Sequence, residues 1–476
     1  MCLLLIRKDR ELFKAEDLKQ KLNAKKVKIN SSLQLSALGL KHKKMKLYST
    51  NHQVPDVNLK EAVFKGLPDD NGLFMPENIP ALPASFFENI DKLSFQDIAF
   101  EVCKALIGGE VPEVEIRNIV NDVLTFDAPV LKVEENIYVL ELFHGPTLAF
   151  KDFGARFMAR LMSYFLQKEK KEIMILVATS GDTGSAVAQG FLGREGIKVT
   201  ILYPSKKVSD LQEKQLTTLG KNIIALEVLG TFDDCQRMVK QAFLDKEITA
   251  KINLSSANSI NISRLIPQSF YYFYAYAQAK KLDKKVVFSV PSGNFGNICG
   301  GLIAKKMGLP VDIFVASTNV NDIMPKYINT GIFEPKPSIA TISNAMDVGN
   351  PSNYPRVIEL YNKDINALRK DVIGKSYTDE ETAAAVKSVY KTTGYIMDPH
   401  GAVGYLGLKE YFKESGKDAT GIFLATAHPA KFIEVVNDII EKEVEIPESL
   451  LEVGRKKKES IVIENDFEKL KAFLLK

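Results

Sequence analysis

The feature that most constrains the fold is a series of short, almost wholly apolar runs separated by stretches with helical periodicity. Each run has the length of a strand: Glu172–Ala178, Ile197–Tyr203, Asn222–Leu229, Lys285–Val290, Val311–Ala316 and Gly421–Ala425. Strands that are apolar at successive positions are buried on both faces, as in parallel sheets covered by helices. The sequence therefore predicts an α/β fold with doubly wound parallel sheets, in which ligands bind beyond the carboxyl ends of the strands.

The length of 476 residues favours two or three domains. Residues 45–130 differ from the rest because proline-bounded loops alternate with short helical stretches, such as Leu59–Leu67 and Phe95–Ile107. We expect residues 45–130 to form an additional N-terminal domain. Residues 131–435 should then hold two α/β subdomains with the chemistry, and residues 436–476 a C-terminal helical segment.

The front of the chain has a composition of its own. Residues 1–44 carry twelve basic and four acidic residues, whereas the whole chain has a formal net charge of only +4. The body is therefore mildly acidic, and we expect no nucleic-acid partner. We interpret residues 1–44 as a basic extension that is either disordered or upstream of a natural start at Met45.

The spacing of the cysteines and the hydropathy indicate in which cellular compartment we expect the protein. Four scattered cysteines without paired spacing indicate free thiols in a reducing compartment and no metal site. No run reaches the roughly 18 apolar residues of a membrane-spanning helix. We expect a cytoplasmic protein with no membrane partner.

Lys151 is the first candidate catalytic residue. It begins an amphipathic helix and follows Leu148, Ala149 and Phe150, so its ammonium group is expected to be poorly solvated. Desolvation lowers the pKa of a lysine and favours the neutral amine that a Schiff base requires. The alternative is a lysine at a helix start whose ammonium group extends to solvent.

Two glycine-rich turns follow predicted strands and open predicted helices. They lie at 177–186 (VATSGDTGSA) and 290–301 (VPSGNFGNICGG). Free backbone N–H groups at a helix N-terminus attract anions, so each turn predicts a carboxylate or phosphate site. Neither turn has the pattern of a nucleotide-binding loop, and each alone also fits a turn without a ligand.

Four further segments are rich in polar side chains. The segment 424–432 (LATAHPAKF) ends a predicted strand and offers Thr426, His428 and Lys431. The segment 256–268 places Asn261 and Arg264 three residues apart, which predicts one face of a helix. The segments 346–356 and 397–404, the latter with His400, fit turn or capping chemistry equally well.

Taken together, these motifs resemble the fold-type-II pyridoxal-phosphate enzymes and, within them, the threonine synthases. The resemblance runs from about Tyr48 to about Phe432. Its motifs occur in the order GLPDDNGLFMP, HGPTLAFKDFGAR, ATSGDTGSA, SANSINISR, PSGNFGN, MDVGNPSN, DPHGAVG and TAHPAKF.

The resemblance implies a cofactor, pyridoxal 5'-phosphate, and a role for each matching residue. Lys151 would be the catalytic residue and bind the cofactor covalently. The other implied cofactor-binding residues are Gly293, Asn294, Phe295, Gly296, Asn297 and Thr426. Ser180, Asp182 and Thr183 would line the substrate carboxylate site, and we add the hypothesis that Asn261, Arg264 and Lys431 bind the substrate phosphate.

The implied reaction converts O-phospho-L-homoserine and water to L-threonine and phosphate, with this small molecule as the partner of a monomer or homodimer. The alternative is a related pyridoxal-phosphate-dependent phospholyase acting on a phosphorylated amino-acid-like substrate. A serine or threonine dehydratase fits less well because it needs no second phosphate pocket. A catalytically silent binding module fits less well because it does not explain Lys151 together with both glycine-rich turns.

Overall fold

The structure, a computed structural model, describes residues 44–167, 169 and 171–476. The interpretation of residues 1–44 therefore lies, except for Lys44, outside the described residues. The strands are β1 (Lys46–Ser49), β2 (Val57–Asn58), β3 (Phe74–Pro76), β4 (Val130–Glu134), β5 (Ile137–Glu141), β6 (Ile173–Ala178), β7 (Ile197–Pro204), β8 (Ile223–Leu229), β9 (Leu254–Ser255), β10 (Val286–Pro291), β11 (Val311–Thr318), β12 (Val372–Ser376), β13 (Thr420–Ala425) and β14 (Ile461–Glu464).

The α-helices join these strands and cover the sheets. They are α1 (Leu59–Lys65), α2 (Ala84–Asn89), α3 (Phe95–Ile107), α4 (Glu113–Val123), α5 (Lys151–Leu166), α6 (Asp182–Phe191), α7 (Asp210–Thr217), α8 (Phe232–Leu244), α9 (Lys246–Lys251), α10 (Ile262–Leu265), α11 (Phe270–Ala279), α12 (Gly296–Lys306), α13 (Ile323–Thr330), α14 (Tyr354–Glu359), α15 (Ile365–Asp371), α16 (Asp379–Thr393), α17 (Pro399–Ser415), α18 (Ile433–Ile440), α19 (Glu448–Gly454) and α20 (Phe467–Leu474).

Two sheets carry the predicted strands. One has the order β14-β8-β7-β6-β9 with every pair parallel. The other has the order β12-β11-β10-β13-β5-β4 and is parallel except for the β4–β5 pair at its edge. The predicted doubly wound α/β fold is confirmed, and the apolar runs are buried because helices cover both faces.

The N-terminal part has a separate small antiparallel sheet of order β2-β1-β3. Helix α3 has the predicted bounds, and Ser94 caps it by accepting a hydrogen bond from the Asp97 N–H group. Helix α1 ends two residues before the predicted end because Gly66 adopts a φ of 72°. The boundaries 45–130 and 131–435 stay predictions.

The C-terminal segment 436–476 is not only helical, which corrects the sequence interpretation. Its strand β14 pairs in parallel with β8 and forms the edge of the five-stranded sheet. Just before this strand, Lys458 contacts Glu213 at 2.7 Å and Glu227 at 2.6 Å. The sequence pattern of a four-residue strand beside charged residues is too weak to predict the strand, unless the strand with which it pairs is known.

Two further sequence expectations concern cysteines and membranes. Cys103, Cys235 and Cys299 are buried free thiols, while Cys2 lies outside the described residues. Across the described residues, every helix is too short or too polar to cross a bilayer.

Candidate active site

The site forms where β5, β13 and β10 end, because these neighbouring parallel strands bring their carboxyl ends to one edge of a sheet. The segments after β5 and β13 bridge to each other at Ala149 and Ala427. The Phe150 N–H group donates to the Thr426 carbonyl oxygen at 2.9 Å. Lys151 therefore begins its helix beside Thr426, as the shared motif order implies.

Lys151 is the first residue of α5, as predicted, and its side chain is 17% exposed. Leu148, three residues before it, adopts a left-handed φ of 56°, which costs a non-glycine residue about 1–2 kcal/mol. Burial lowers the pKa of Lys151, the Asp182 carboxylate opposes this effect, and the charges of Lys431 and Arg264 add to it. The neutral amine is thus easier to reach than in an exposed lysine.

Asp182 connects the two sheets electrostatically. Its Oδ2 lies 3.5 Å from Lys151 Nζ, and its Oδ1 lies 2.7 Å from Lys431 Nζ. Gln212 Nε2 donates to the same Oδ1 at 2.9 Å. Burial alone would raise the pKa of Asp182, but the charges of Lys431 and Lys151 outweigh it and hold that pKa well below its usual range. Asp182 is therefore an ionised carboxylate inside the protein.

The side chain of Lys431 is more buried than we expected from the sequence. Its side chain has no exposed surface, and its ammonium group also donates to the Thr147 carbonyl oxygen at 2.9 Å. The Thr147 N–H and hydroxyl groups donate to the Asp152 carboxylate at 2.9 and 2.8 Å. Burial raises the pKa of Asp152 to about 6. The segment that carries Lys151 is thus held on both sides by buried ionic groups.

The turn after β10 has the geometry of a phosphate cradle. The backbone N–H groups of residues 293–297 make no hydrogen bond to another described residue. Phe295 adopts a left-handed φ of 61° just before α12. Asn297 stabilises the turn, since its Oδ1 accepts from the Ser292 hydroxyl at 2.7 Å and its Nδ2 donates to the Pro291 carbonyl at 2.8 Å. Successive free N–H groups at a helix N-terminus fit a pyridoxal phosphate group.

Thr426 also fits the cofactor. Its side chain is largely buried, and its hydroxyl group has no hydrogen-bond partner among the described residues. A buried hydroxyl without a protein partner is stabilised when a ligand supplies one. Thr426, Lys151 and the cradle together provide a hydroxyl, an amine and a phosphate site for one cofactor.

The segment 343–356 holds the cradle in place. The Asn294 carbonyl oxygen accepts from the Asn353 N–H group at 3.2 Å and from its Nδ2 at 3.0 Å. The Asn294 side chain accepts from the Ser352 hydroxyl at 3.0 Å. Asn294 therefore contributes its N–H group to the cradle, while its oxygens bind the neighbouring loop.

The predicted substrate residues divide into two groups. Ser180 is exposed, Thr183 is half-buried, and neither hydroxyl has a partner among the described residues. Arg264 is buried, its Nη1 donates to the Ala257 carbonyl oxygen, and burial lowers its pKa to about 10. Its Nε lies against Gly154, enclosed by protein and without a hydrogen-bond partner among the described residues. Ser180 and Thr183 therefore keep hydroxyl groups available for a ligand, whereas Arg264 Nε does not.

Asn261 does not lie on a helix face with Arg264, contrary to the sequence interpretation. It is the N-cap of the four-residue helix α10, and its Oδ1 accepts from the Ser263 N–H group at 3.0 Å. Its Nδ2 donates to the carbonyl oxygens of Val63 and Ser256 at 2.9 and 3.2 Å. A capping asparagine whose amide is fully used holds the Arg264 loop in place.

Sequence reasoning missed several residues of the site. Gln212 forms a capping box with Ser209, so its sequence context predicts only a helix start. Asp152 follows Lys151, and His400 lies in a quoted motif, yet neither had a signal that separates a buried polar role from an exposed one. Their roles depend on contacts between segments that are far apart in the chain.

Family profiles match nearly the whole described chain. A profile described as pyridoxal-phosphate dependent enzyme matches residues 124–426. Profiles described as threonine synthase N terminus and threonine synthase, C-terminal, match residues 46–124 and 401–474.

Individual relatives are similar over most of their length. A threonine synthase from Haemophilus influenzae is 49% identical over 436 residues, covering 91% of this chain and 100% of that protein. The crystal structure of threonine synthase from Escherichia coli has a TM-score of 0.84 and 43% identity, covering 90% of this chain and 99% of that one. A pyridoxal-phosphate-bound threonine synthase from Brucella melitensis has a TM-score of 0.84 and 35% identity, covering 90% and 98%.

Proposed function

The chain belongs to the threonine synthase family of pyridoxal-phosphate-dependent enzymes, and we propose that it converts O-phospho-L-homoserine and water to L-threonine and phosphate. The observation that carries this choice of substrate is the charge of the site. Lys151, Lys431 and Arg264 act electrostatically on one another or on the carboxylates of Asp182 and Asp152, and Arg156 also acts on Asp152. This cluster of cationic groups favours a substrate with a phosphate group.

Lys151 is the proposed catalytic residue, and it both holds the cofactor and moves protons. When bound, the cofactor supplies an electron sink that stabilises negative charge on substrate carbon. Lys151 serves as acid and base because burial lowers its pKa toward neutrality. Asp182 lies 3.5 Å from its amine and keeps the amine oriented during proton transfer.

The remaining residues bind and orient the substrate in this proposal. Ser180 and Thr183 offer hydroxyl groups beside the N-terminus of α6, which suits the substrate carboxylate. The positively charged guanidinium of Arg264 binds the substrate phosphate in this proposal, and Lys431, which pairs with Asp182, adds positive charge. Asn261 acts indirectly by holding the Arg264 loop. Gly293, Asn294, Phe295, Gly296, Asn297 and Thr426 bind the cofactor.

The test measures phosphate release and threonine formation together, with purified protein and O-phospho-L-homoserine. Wild type should form one threonine per phosphate released. Lys151→Ala should lose at least about a thousandfold in kcat, since it removes both the linkage and the proton shuttle. Lys198→Ala changes an exposed lysine and serves as the matched control. Phosphate release without threonine would favour the alternative phospholyase.

A kinetic variant tests the substrate phosphate site. Arg264→Ala should mainly raise KM for O-phospho-L-homoserine, because Arg264 contacts substrate and not the reacting carbons in this proposal. An unchanged KM would remove Arg264 from the phosphate site.

The proposal also covers assembly, compartment and domain limits. We propose a cytoplasmic monomer or homodimer, which sedimentation and cell fractionation would test. We also propose domain limits at about residues 130 and 435, which the folding of separately expressed segments with these bounds would test.

A further inference from the structure

His400 lies outside the set of residues proposed to touch cofactor or substrate, yet both of its ring nitrogens are engaged. Its side chain is 3% exposed. Nδ1 lies 2.6 Å from Asp398 Oδ2, and Nε2 lies 3.1 Å from the backbone nitrogen of Ala345. A backbone N–H group can only donate, so Nε2 must accept and Nδ1 must carry the proton. His400 is therefore a neutral ring with a fixed tautomer.

Ala345 connects this ring to the phosphate cradle. A Cβ on Gly293 would lie 2.9 Å from the Ala345 carbonyl oxygen and 2.9 Å from Met346 Cα. The 344–346 turn thus packs directly against the first residue of the cradle, and Gly293 has no side chain because the turn occupies that space. A shift of the turn would move the Gly293 N–H group relative to the other cradle N–H groups.

Asp398 fixes the other side of the ring. It is the N-cap of α17 and accepts from the backbone N–H groups of His400 and Gly401 at 3.2 and 3.0 Å. The Phe432 ring packs against His400 with centroids 4.8 Å apart. The imidazole is therefore held by a helix start, an aromatic ring and the turn that it supports.

We infer that His400 is a positioning residue that holds the 344–346 turn against Gly293 and so shapes the cradle for the cofactor phosphate. It does this by presenting Nε2 as the acceptor for the Ala345 N–H group. The inference rests on the pyridoxal cofactor of the proposed function and not on its substrate.

Other charged groups surround His400, and the experiment must distinguish their effects from that of His400. Asp398 faces it from its own helix start, and Asp347 interacts with it from the 341–348 loop. His428 and Lys431 lie on the segment after β13, and burial lowers the pKa of His428. A comparison of variants that differ only at residue 400 leaves these groups and the cofactor unchanged.

The experiment measures the Kd of the cofactor-free protein for pyridoxal 5'-phosphate and for pyridoxal under the same conditions. His400→Ala removes the acceptor, and the Kd for pyridoxal 5'-phosphate should rise roughly tenfold, as expected for one lost buried hydrogen bond. The Kd for pyridoxal, which has no phosphate, should stay within about twofold. His52→Gln, with a side chain 52% exposed, is the matched control and should behave as wild type.

His400→Gln separates positioning from folding. Glutamine offers an acceptor oxygen in place of Nε2, so it should restore most of the binding of pyridoxal 5'-phosphate that His400→Ala loses. A loss in His400→Gln equal to that in His400→Ala would overturn the inference. So would a wild-type Kd in His400→Ala, or an equal loss of pyridoxal and pyridoxal 5'-phosphate. Because the readout is cofactor binding, a failure to form threonine would count against the proposed substrate and leave this result unaffected.

Discussion

The two glycine-rich turns follow equivalent buried strands and open equivalent helices, but they present different chemistry. The turn 293–297 after β10 presents five backbone N–H groups that have no acceptor within the part of the chain that the structure describes. In the turn 179–184 after β6, the Thr179 hydroxyl accepts from the N–H groups of Gly181 and Gly184 at 3.0 and 2.9 Å. That second turn instead brings the Asp182 carboxylate between two lysines.

The difference shows that a glycine-rich turn at a helix start is not by itself an anion site. The cradle at 293–297 is neutral, and its side chains hold the backbone so that the N–H groups stay free. The turn at 179–184 satisfies part of its own backbone and adds a negative charge, which suits the control of an amine more than the binding of phosphate. Each of the following variants changes one feature of one of these two turns.

The largest effect should come from Asp182→Ala, which removes the charge from the charged turn. Lys431 would then be buried without a counter-ion, and the free energy of unfolding should fall by about 3–5 kcal/mol. Urea unfolding of the cofactor-free protein measures this. Asp438→Ala, at an exposed helix position, is the control and should change stability by less than about 0.5 kcal/mol.

The double variant Asp182→Ala with Lys431→Met tests whether the lost stability comes from the unpaired charge of Lys431. It removes both buried charges and should recover part of the lost stability. A double variant less stable than Asp182→Ala alone would mean that Lys431 stabilises the protein by packing and not through its partner.

The second effect concerns the neutral cradle. Gly293→Ala would force a Cβ against the 344–346 turn, where the nearest atoms lie 2.9 Å away. Such overpacking costs about 1–3 kcal/mol, so the Kd for pyridoxal 5'-phosphate should rise roughly tenfold to hundredfold. Gly454→Ala has its nearest neighbour at 3.7 Å and provides the control. An unchanged Kd would mean that the cradle tolerates displacement of its first N–H group.

A smaller effect is expected where the charged turn satisfies its own backbone. Thr179→Val keeps the shape of the side chain but leaves the Gly181 and Gly184 N–H groups without their acceptor. The free energy of unfolding should fall by about 1–3 kcal/mol, and Thr179→Ser should restore most of it. If the serine and valine variants are equally unstable, the methyl group of Thr179 matters more than its hydroxyl.

The smallest effect is a shift in the pH dependence of Lys151. Burial lowers its pKa, while the Asp182 charge opposes this, so Asp182→Asn should lower the pKa further. A lower pKa means more neutral amine at a given pH, and acetylation of Lys151 in the cofactor-free protein should reach its midpoint at a lower pH than in wild type. Mass spectrometry measures this, with Lys198 as an exposed internal reference. A shift to higher pH would contradict the assigned role of Asp182.

Much of the fold and part of the site follow from local patterns. The six apolar runs became β6, β7, β8, β10, β11 and β13, because continuous burial on both faces leaves a readable signal in composition. The start of α5 at Lys151 and the turns before α6 and α12 also follow from short segments. Strand ends in a parallel sheet meet at one edge, so the general location of the site followed as well.

The pairing of the polar groups was decided only by tertiary structure. The sequence alone could not show that Lys431 would bind Asp182, that Asn261 would turn its amide to Val63 and Ser256, or that His400 would support the Ala345 turn. The same holds for β14, whose pairing with β8 gives it its structure. Hydrophobic periodicity is a property of neighbouring residues, whereas the partner of a buried charge depends on which distant segments the packed sheets bring within hydrogen-bonding distance.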